Sequence, residues 1–571
     1  MNRFRELLRK HWGYEAFRPL QEEIIRSVYA GNDTLGLMPT GGGKSITFQV
    51  PALAMKGVCL VITPLIALMK DQVDHLHQVG LTATWLHAGL RREVMEQRLA
   101  QCVAGQMKFL YVSPERLLSP LFRAYLAQMR LCLIVVDEAH CLSQWGYDFR
   151  PAYLRIAEIR TSFPAVPLLA LTATATPQVM KDIQAKLGFT HQQVFQQSFV
   201  RPNLGYRVQR TDDKRQALLR LLRQTKGTAI VYTRNRLRTE EIARRLQADG
   251  LPADYFHAGL PWAQKVHKQN QWTKEEGRII VATNAFGMGI DKPDVRLVVH
   301  LDAPGSLEEY FQEAGRAGRD GKPAEAIALY SPIDKARLLR QLVDRFPPRA
   351  FIRRVYEQLG DYLELPVGVG EDRTFDFSFT QFCQTYALSP SPTHHALKLL
   401  LRGGYLEFEE GPTQPPALPM ALRRYRREEP VSICFNTPRL PTKQILIPKE
   451  IYEKRQKRLT EQVEAVIRYM EEPTTCRSQL LLRYFGESHS PHCGRCDHCL
   501  PVRSVLTEAE FLAIRAALQT AVENVPQSVY YLLDRLPFDR EKSLKAIRFL
   551  VDEDSRFLLE DGFLSYRKSR E

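Results

Sequence analysis

Residues 37 to 48 read LMPTGGGKSITF, an apolar run followed by three glycines, a lysine and a serine. Glycines let successive backbone N–H groups turn inward around phosphate oxygens, and a helix starting just after them adds its positive end. In such a loop Thr40, Gly41, Gly42 and Gly43 line the phosphates, Lys44 reaches the β and γ phosphates, and the Ser45 hydroxyl ligates Mg²⁺. The spacing G-x-x-x-x-G-K-[ST] holds except at its first position, where Met38 replaces glycine. A second stretch able to do chemistry is LCLIVVDEAH, residues 131 to 140. Its six apolar residues predict a buried parallel strand, and two carboxylates follow at the C-terminal end, where open α/β sheets hold their ligands. Asp137 is expected to hold Mg²⁺ through water and Glu138 to polarise the attacking water, with His140 in the same catalytic group. Together the two stretches point to ATP hydrolysis.

Four cysteines form a third group. Cys476, Cys493, Cys496 and Cys499 have the spacing C-x₁₆-C-x₂-C-x₂-C, and four thiolates suit a closed tetrahedral Zn²⁺ site. His492 and His498 are alternative ligands, each next to a cysteine and expected to point away from a metal bound by four sulfurs. A disulfide pair and an iron–sulfur cluster are the rivals; the disulfide suits an ATPase in reducing surroundings poorly. The other six of the ten cysteines stand among apolar neighbours and read as buried free thiols.

These groups must be positioned by a chain of 571 residues, too long for one hydrophobic core, so about three to five domains are expected. With 44% hydrophobic residues it should fold, and 79 Lys and Arg against 64 Asp and Glu leave a net charge of +15, which favours a polyanionic partner. The N-terminus lacks the apolar stretch of a signal peptide and no long uncharged apolar run follows, so a soluble, cytoplasmic protein without a membrane partner is expected, nucleoid-associated if bacterial.

The phosphate loop and acidic strand stand in a longer ordered series: VITPLIALMKDQV (61–73), YVSPERL (111–117), LTATAT (171–176), AIVYTRNR (229–236), VATNAFGMGIDKPDV (281–295) and QEAGRAGRDG (312–321). This order resembles the motifs of superfamily 2 helicases. GYEAFRPLQEEII (13–25) and CLSQWGYDFRPAY (141–153) narrow the resemblance to the RecQ family. The resemblance implies that Tyr14 stacks on adenine while Arg18 and Gln21 contact it. It also implies that Trp145, Phe149 and Arg150 couple DNA binding to hydrolysis; aromatic residues and an arginine in a loop are able to stack on bases of single-stranded DNA. Gln312 completes the family motif around Arg316 and Arg319, which are expected to reach the γ phosphate as an arginine finger does. TPLIAL, SPERL and FGMGI resemble segments that hold the DNA backbone without reading sequence.

The expected fold is α/β, with two tandem RecA-like parallel-sheet motor domains followed by winged-helix and zinc-binding helical modules. Apolar strands alternating with charged helices support the second sheet, from GTAIVYT through VRLVVHLD. The expected divisions are 1–205 and 206–345 for the motor, 346–435 for a winged-helix-like insertion, 436–503 for the zinc-binding domain and 504–571 for a short C-terminal winged helix. About 110 residues separate motor from zinc segment, where shorter bacterial RecQ proteins have little. Within them, 377–410 reads as helix, turn, helix and hairpin, 411–419 as a turn-rich connection, and 423–458 holds eleven Lys and Arg against four acids. That basic run suits a solvated helix face or a DNA backbone contact.

The resemblance therefore implies an ATP-dependent DNA helicase moving 3′ to 5′ on single-stranded DNA in recombination and repair, using ATP, Mg²⁺ and Zn²⁺. Its expected partners are single-stranded and duplex or forked DNA, with single-strand-binding and recombination proteins as candidates. The alternatives are an RNA helicase on the same motor and a zinc and winged-helix DNA-binding regulator that uses ATP as a switch.

Overall fold

The computed structural model describes residues 2–39, 41–64, 66–87, 90–143, 150–189, 193–286, 292–410, 430–500, 508–538, 540–560 and 562–567. They divide into two compact units, 1–472 with 480–489, and 473–479 with 490–571.

The larger unit carries two parallel sheets. The first has the strands β1 (Thr34–Leu37), β2 (Val58–Ile62), β3 (Ala83–Leu86), β4 (Phe109–Val112), β5 (Leu131–Val136), β6 (Leu168–Thr172) and β7 (Gln193–Gln196), in the order β3-β4-β2-β5-β6-β1-β7. Every residue of β1, β2, β4, β5 and β6 is buried, the pattern of strands covered by helices on both faces. Asp33 locks the start of β1 to β6: its carboxylate accepts the Leu168 N–H at 3.0 Å and pairs with Arg160 at 2.8 Å. Because neighbouring strands run parallel, the segments after β1, β5 and β6 all emerge at one edge, and these are the phosphate loop, DEAH and LTATAT.

The second sheet has β8 (Leu204–Arg210), β9 (Thr228–Tyr232), β10 (Ala253–Phe256), β11 (Ile279–Ala282), β12 (Val295–His300) and β13 (Ala324–Tyr330), ordered β10-β11-β9-β12-β13-β8 and parallel throughout. Phe199, from the link between the sheets, packs against Phe311 and Phe485, and its backbone N–H donates to Glu487 at 2.6 Å.

The insertion contains the helices Phe379–Thr385 and Pro390–Arg402 and a three-stranded antiparallel sheet of β14 (Thr374–Asp376), β15 (Leu406–Glu410) and β16 (Pro430–Phe435), with β16 central. The hairpin expected within 377–410 instead closes on a strand twenty residues further on, because Ile433 and Phe435 bury the side chains that complete this core. The connection at 411–419 lies outside the described residues.

In the smaller unit, three helices (Glu508–Val522, Val529–Arg535, Arg540–Glu553) precede the antiparallel pair β18 (Phe557–Glu560) and β19 (Phe563–Tyr566), and the short β17 (Gln527–Ser528) adds to β19. The segment thus holds three helices and a small three-stranded antiparallel sheet in the order β17-β19-β18. Among the described residues no helix is long and apolar enough to cross a membrane.

Candidate active site and metal centre

The phosphate loop follows β1 and leads into the helix Ile46–Ala54. Gly41 and Gly43 adopt φ of +82° and +77°, a region where side chains are strained. A Cβ at Gly43 would also overlap the Gln21 amide. Gln21 Nε2 donates to the Gly43 carbonyl at 2.9 Å, and Arg18 Nη1 donates to that of Gly41 at 2.6 Å. The loop thus borders a cavity of about 500 Å³ lined by Tyr14, Arg18, Gln21, Gly41, Gly43, Lys44, Ser45, Asp137, Glu138 and Arg319, among others. That volume is within the usual span of small-ligand sites. Thr40 lies outside the described residues.

The acids stand where β5 ends. Lys44 Nζ lies 3.9 Å from Glu138 Oε1, and the Glu138 N–H donates to Asp137 Oδ1 at 2.9 Å. Glu138 takes φ +49°, a left-handed conformation that costs a non-glycine residue about 1–3 kcal/mol. The six buried side chains of β5 outweigh that cost, since each full burial of Leu, Ile or Val contributes about 1.5–3 kcal/mol. Desolvation in the cleft, then the adjacent Glu138 charge, pushes the Asp137 carboxyl up to about 6, against the pull of Lys44.

Four supporting residues were not singled out from sequence. Thr63, just past β2, faces Asp137 Oδ2 at 3.5 Å, and Tyr153 donates its hydroxyl to the Asp137 carbonyl at 3.0 Å. His140 Nδ1 lies 3.3 Å from Glu138 Oε2 and 3.0 Å from Thr172 Oγ1, so the DEAH carboxylate and the LTATAT segment meet through one imidazole. Thr63 and Thr172 shared one legible signal, a threonine at the C-terminal edge of a buried strand. The fourth, Arg201, comes from the link between the sheets and donates to the carbonyls of Gly315, Ala317 and Gly318 at 3.1, 2.8 and 3.2 Å. It thereby holds the GRAGR turn.

From that turn Arg319 enters the phosphate-loop cavity. A Cβ on Gly41 would stand 3.5 Å from both Cγ and Cδ of Arg319. Arg316 is buried and acts on the Tyr232 hydroxyl; neither it nor the buried Gln312 lines the cavity. Arg150 donates to the Pro64 carbonyl at 3.3 Å, joining the end of the aromatic loop to TPLIAL. Trp145 and Phe149 lie outside the described residues, as does 287–290 of FGMGI.

In the smaller unit the Sγ atoms of Cys476, Cys493, Cys496 and Cys499 all lie within 4.8 Å of one another. Cys493 and Cys499 are 4.0 Å apart and Cys496 and Cys476 3.9 Å, close to the edge of about 3.8 Å expected for a tetrahedron with Zn–S bonds near 2.3 Å. The donor set fits zinc. Hydrogen bonds from Cys493 and Cys496 pull the Cys476 thiol well down, whereas the bonds to Cys476 and Cys496 push Cys493 up and burial pushes Cys499 up to about 11, so without a metal the four sulfurs do not all stand as thiolates. Arg477 braces the site through Asp497 at 2.9 Å, and His492 Nδ1 sits 3.8 Å from Cys499 Sγ, outside the four-sulfur cluster.

Known families match in three blocks: DEAD/DEAH box helicase over residues 18–183, helicase conserved C-terminal domain over 213–321, and RecQ zinc-binding over 441–500. The probable ATP-dependent DNA helicase RecS of Bacillus subtilis is 38% identical over 339 residues, 58% of this chain and 68% of that protein. The chain belongs to the RecQ helicase family. The ATP-dependent DNA helicase RecQ of Haemophilus influenzae is 41% identical over 361 residues, 63% of this chain, and the Bacillus subtilis RecQ is 41% identical over 337 residues. The chain spans 58% and 57% of those two RecQ proteins. The RecQ zinc-binding match contains all four clustered cysteines.

Proposed function

We propose that the protein is an ATP-dependent DNA helicase that moves 3′ to 5′ along single-stranded DNA and separates duplexes in recombination and repair. The observation that carries this reading is the position of Arg319. It comes from the turn between β12 and β13 of the second sheet yet stands against Gly41, in the same cavity as Lys44, Asp137 and Glu138.

In this reading Tyr14, Arg18 and Gln21 hold the adenine, and the glycine loop and Lys44 hold the phosphates. Ser45 and Asp137 would hold Mg²⁺, which when bound neutralises charge on the β and γ phosphates. Glu138 orients and deprotonates the attacking water, held in place by His140. Arg319 stabilises charge on the transferring phosphoryl group, so closure of the two lobes depends on an intact triphosphate and relaxes after hydrolysis. Trp145, Phe149 and Arg150 sense the DNA strand, and Arg150 donates to the carbonyl of Pro64, one residue past Thr63. Zinc bound by the four cysteines ties its segment together without taking part in hydrolysis. Single-strand-binding and recombination proteins are candidate partners.

Strand separation on 3′-tailed and 5′-tailed duplexes tests the reading. The wild type should unwind the 3′-tailed duplex. Lys44→Ala should lose ATP hydrolysis and unwinding while keeping DNA binding; unwinding by that variant contradicts the assignment, and stronger stimulation of hydrolysis by RNA than by DNA favours an RNA helicase instead.

A further inference from the structure

The basic run 423–458 divides in the structure. Its first cluster lies outside the described residues. Its second begins the helix Glu453–Glu471 and carries Arg455 and Arg458 into the field of Arg402, the last residue of the helix Pro390–Arg402. Arg345, the last residue of the helix Pro332–Arg345, completes the group, and that helix packs on both of the others.

The four guanidinium groups stand together; acids act on two of them, Glu309 on Arg345 and Glu308 and Asp182 on Arg458, without forming an ion pair with either. Among the described residues none of them forms an ion pair or a side-chain hydrogen bond, and Nε of Arg458 is buried without a partner. Desolvation, then the charges of Arg402, Arg458 and Arg345, pulls Arg455 down to about 9. Helix dipoles account for Arg345 and Arg402, since cations are favoured at C-terminal ends. They do not account for Arg455 and Arg458, which occupy the third and sixth positions of their helix, near its positive end.

The cluster also continues into a cavity. Arg345 lines a space of about 670 Å³ beyond the C-terminal ends of β9, β11 and β12, together with Arg234, Arg236, His394 and His395. Of the four acids there, three are already engaged: Asp302 pairs with Arg238 and Arg337, Glu309 with Arg234, and Glu313 with His300; the fourth is Asp344. One phosphate does not need four arginines from three helices. A chain of phosphates running from the strand ends over the insertion does.

We propose that Arg345, Arg402, Arg455 and Arg458 bind the phosphodiester backbone of single-stranded DNA, so that the inserted module forms part of the strand's path. This rests on the helicase reading above and adds a contact surface to it.

The test uses the full chain and its Arg402→Gln/Arg455→Gln variant, with fluorescence anisotropy of a labelled oligo-dT of roughly 20 nucleotides, longer than one single-strand-binding fold occupies. The variant should bind roughly tenfold more weakly, and the slope of log affinity against log salt should become shallower by about 1.4, the value for two lost phosphate contacts on a single strand. Its melting temperature without DNA should equal or exceed that of the wild type, because like-charge repulsion is relieved. Arg455→Lys, assayed at about pH 6 so that the ammonium stays charged among these arginines, should retain most of the affinity. Wild-type affinity and salt slope in the glutamine variant overturn the proposal and leave the helicase reading standing. An equal loss in Arg455→Lys and Arg455→Gln, with a lower melting temperature, assigns the arginines a packing role and overturns it too. So does inorganic phosphate that stabilises the wild type, but not the double variant, while DNA affinity is the same in both. A wild type that binds no single-stranded DNA defeats the helicase reading itself.

Discussion

Nδ1 of His140 stands 3.0 Å from Oγ1 of Thr172, across 32 residues of chain. The same nitrogen lies 3.3 Å from Oε2 of Glu138, so a shift of the LTATAT segment is felt at the carboxylate proposed to handle water. Thr172→Val keeps the shape and removes the hydroxyl. It should lower kcat of DNA-stimulated ATP hydrolysis about tenfold, a part of what general-base catalysis supplies, with KM for ATP within about twofold. A raised KM at unchanged kcat would place Thr172 in nucleotide binding instead.

The acidity of Asp137 sets a pH dependence. Its carboxyl, pushed up to about 6 from an ordinary value of 3.8, must lose its proton before it holds Mg²⁺ as proposed. The half-saturating Mg²⁺ concentration for hydrolysis should therefore be about fourfold higher at pH 5.5 than at pH 7.5. In the metal-free protein the sign for stability follows from the same shift. A raised folded-state value favours folding at low pH, and that contribution is lost as pH rises through about 6. Asp137→Asn should flatten the fall in melting temperature over this window; an unaltered pH profile in the variant contradicts the account.

Zinc content separates the cysteine ligands from their histidine neighbours. Metal analysis should give one zinc per chain, retained by His492→Ala and His498→Ala and lost on Cys496→Ser. Because metal-binding energy is folding energy in such sites, Cys496→Ser should also make 473–479 and 490–500 exchange their amide hydrogens rapidly, while β1 to β6 stay protected. Zinc loss in His492→Ala would revise the ligand set.

What was legible in the sequence was what local chemistry dictates. Gly41 and Gly43 announce the phosphate loop because their positive φ angles exclude other residues, and LCLIVV announces a strand buried on both faces. The two arginines of GRAGR show the limit. Both are expected from the sequence to reach the γ phosphate. The helix ends at Ala314, however, and 315–320 form a tight turn that sends Arg319 to Gly41 and Arg316 to Tyr232. The brace from Arg201 is set by tertiary packing, with more than a hundred residues between donor and acceptors. The same holds for Arg345, Arg402 and Arg455, which three helices bring together and no spacing announces.

The two lobes share one triphosphate only if Arg319 acts on it, and Arg319→Ala tests this most directly. Hydrolysis should fall on the order of a thousandfold, the effect of removing an arginine finger, and the variant should fail to trap ADP with aluminium fluoride, while ADP alone binds within about threefold of wild type. Hydrolysis within about tenfold of wild type, together with normal trapping, would contradict the account.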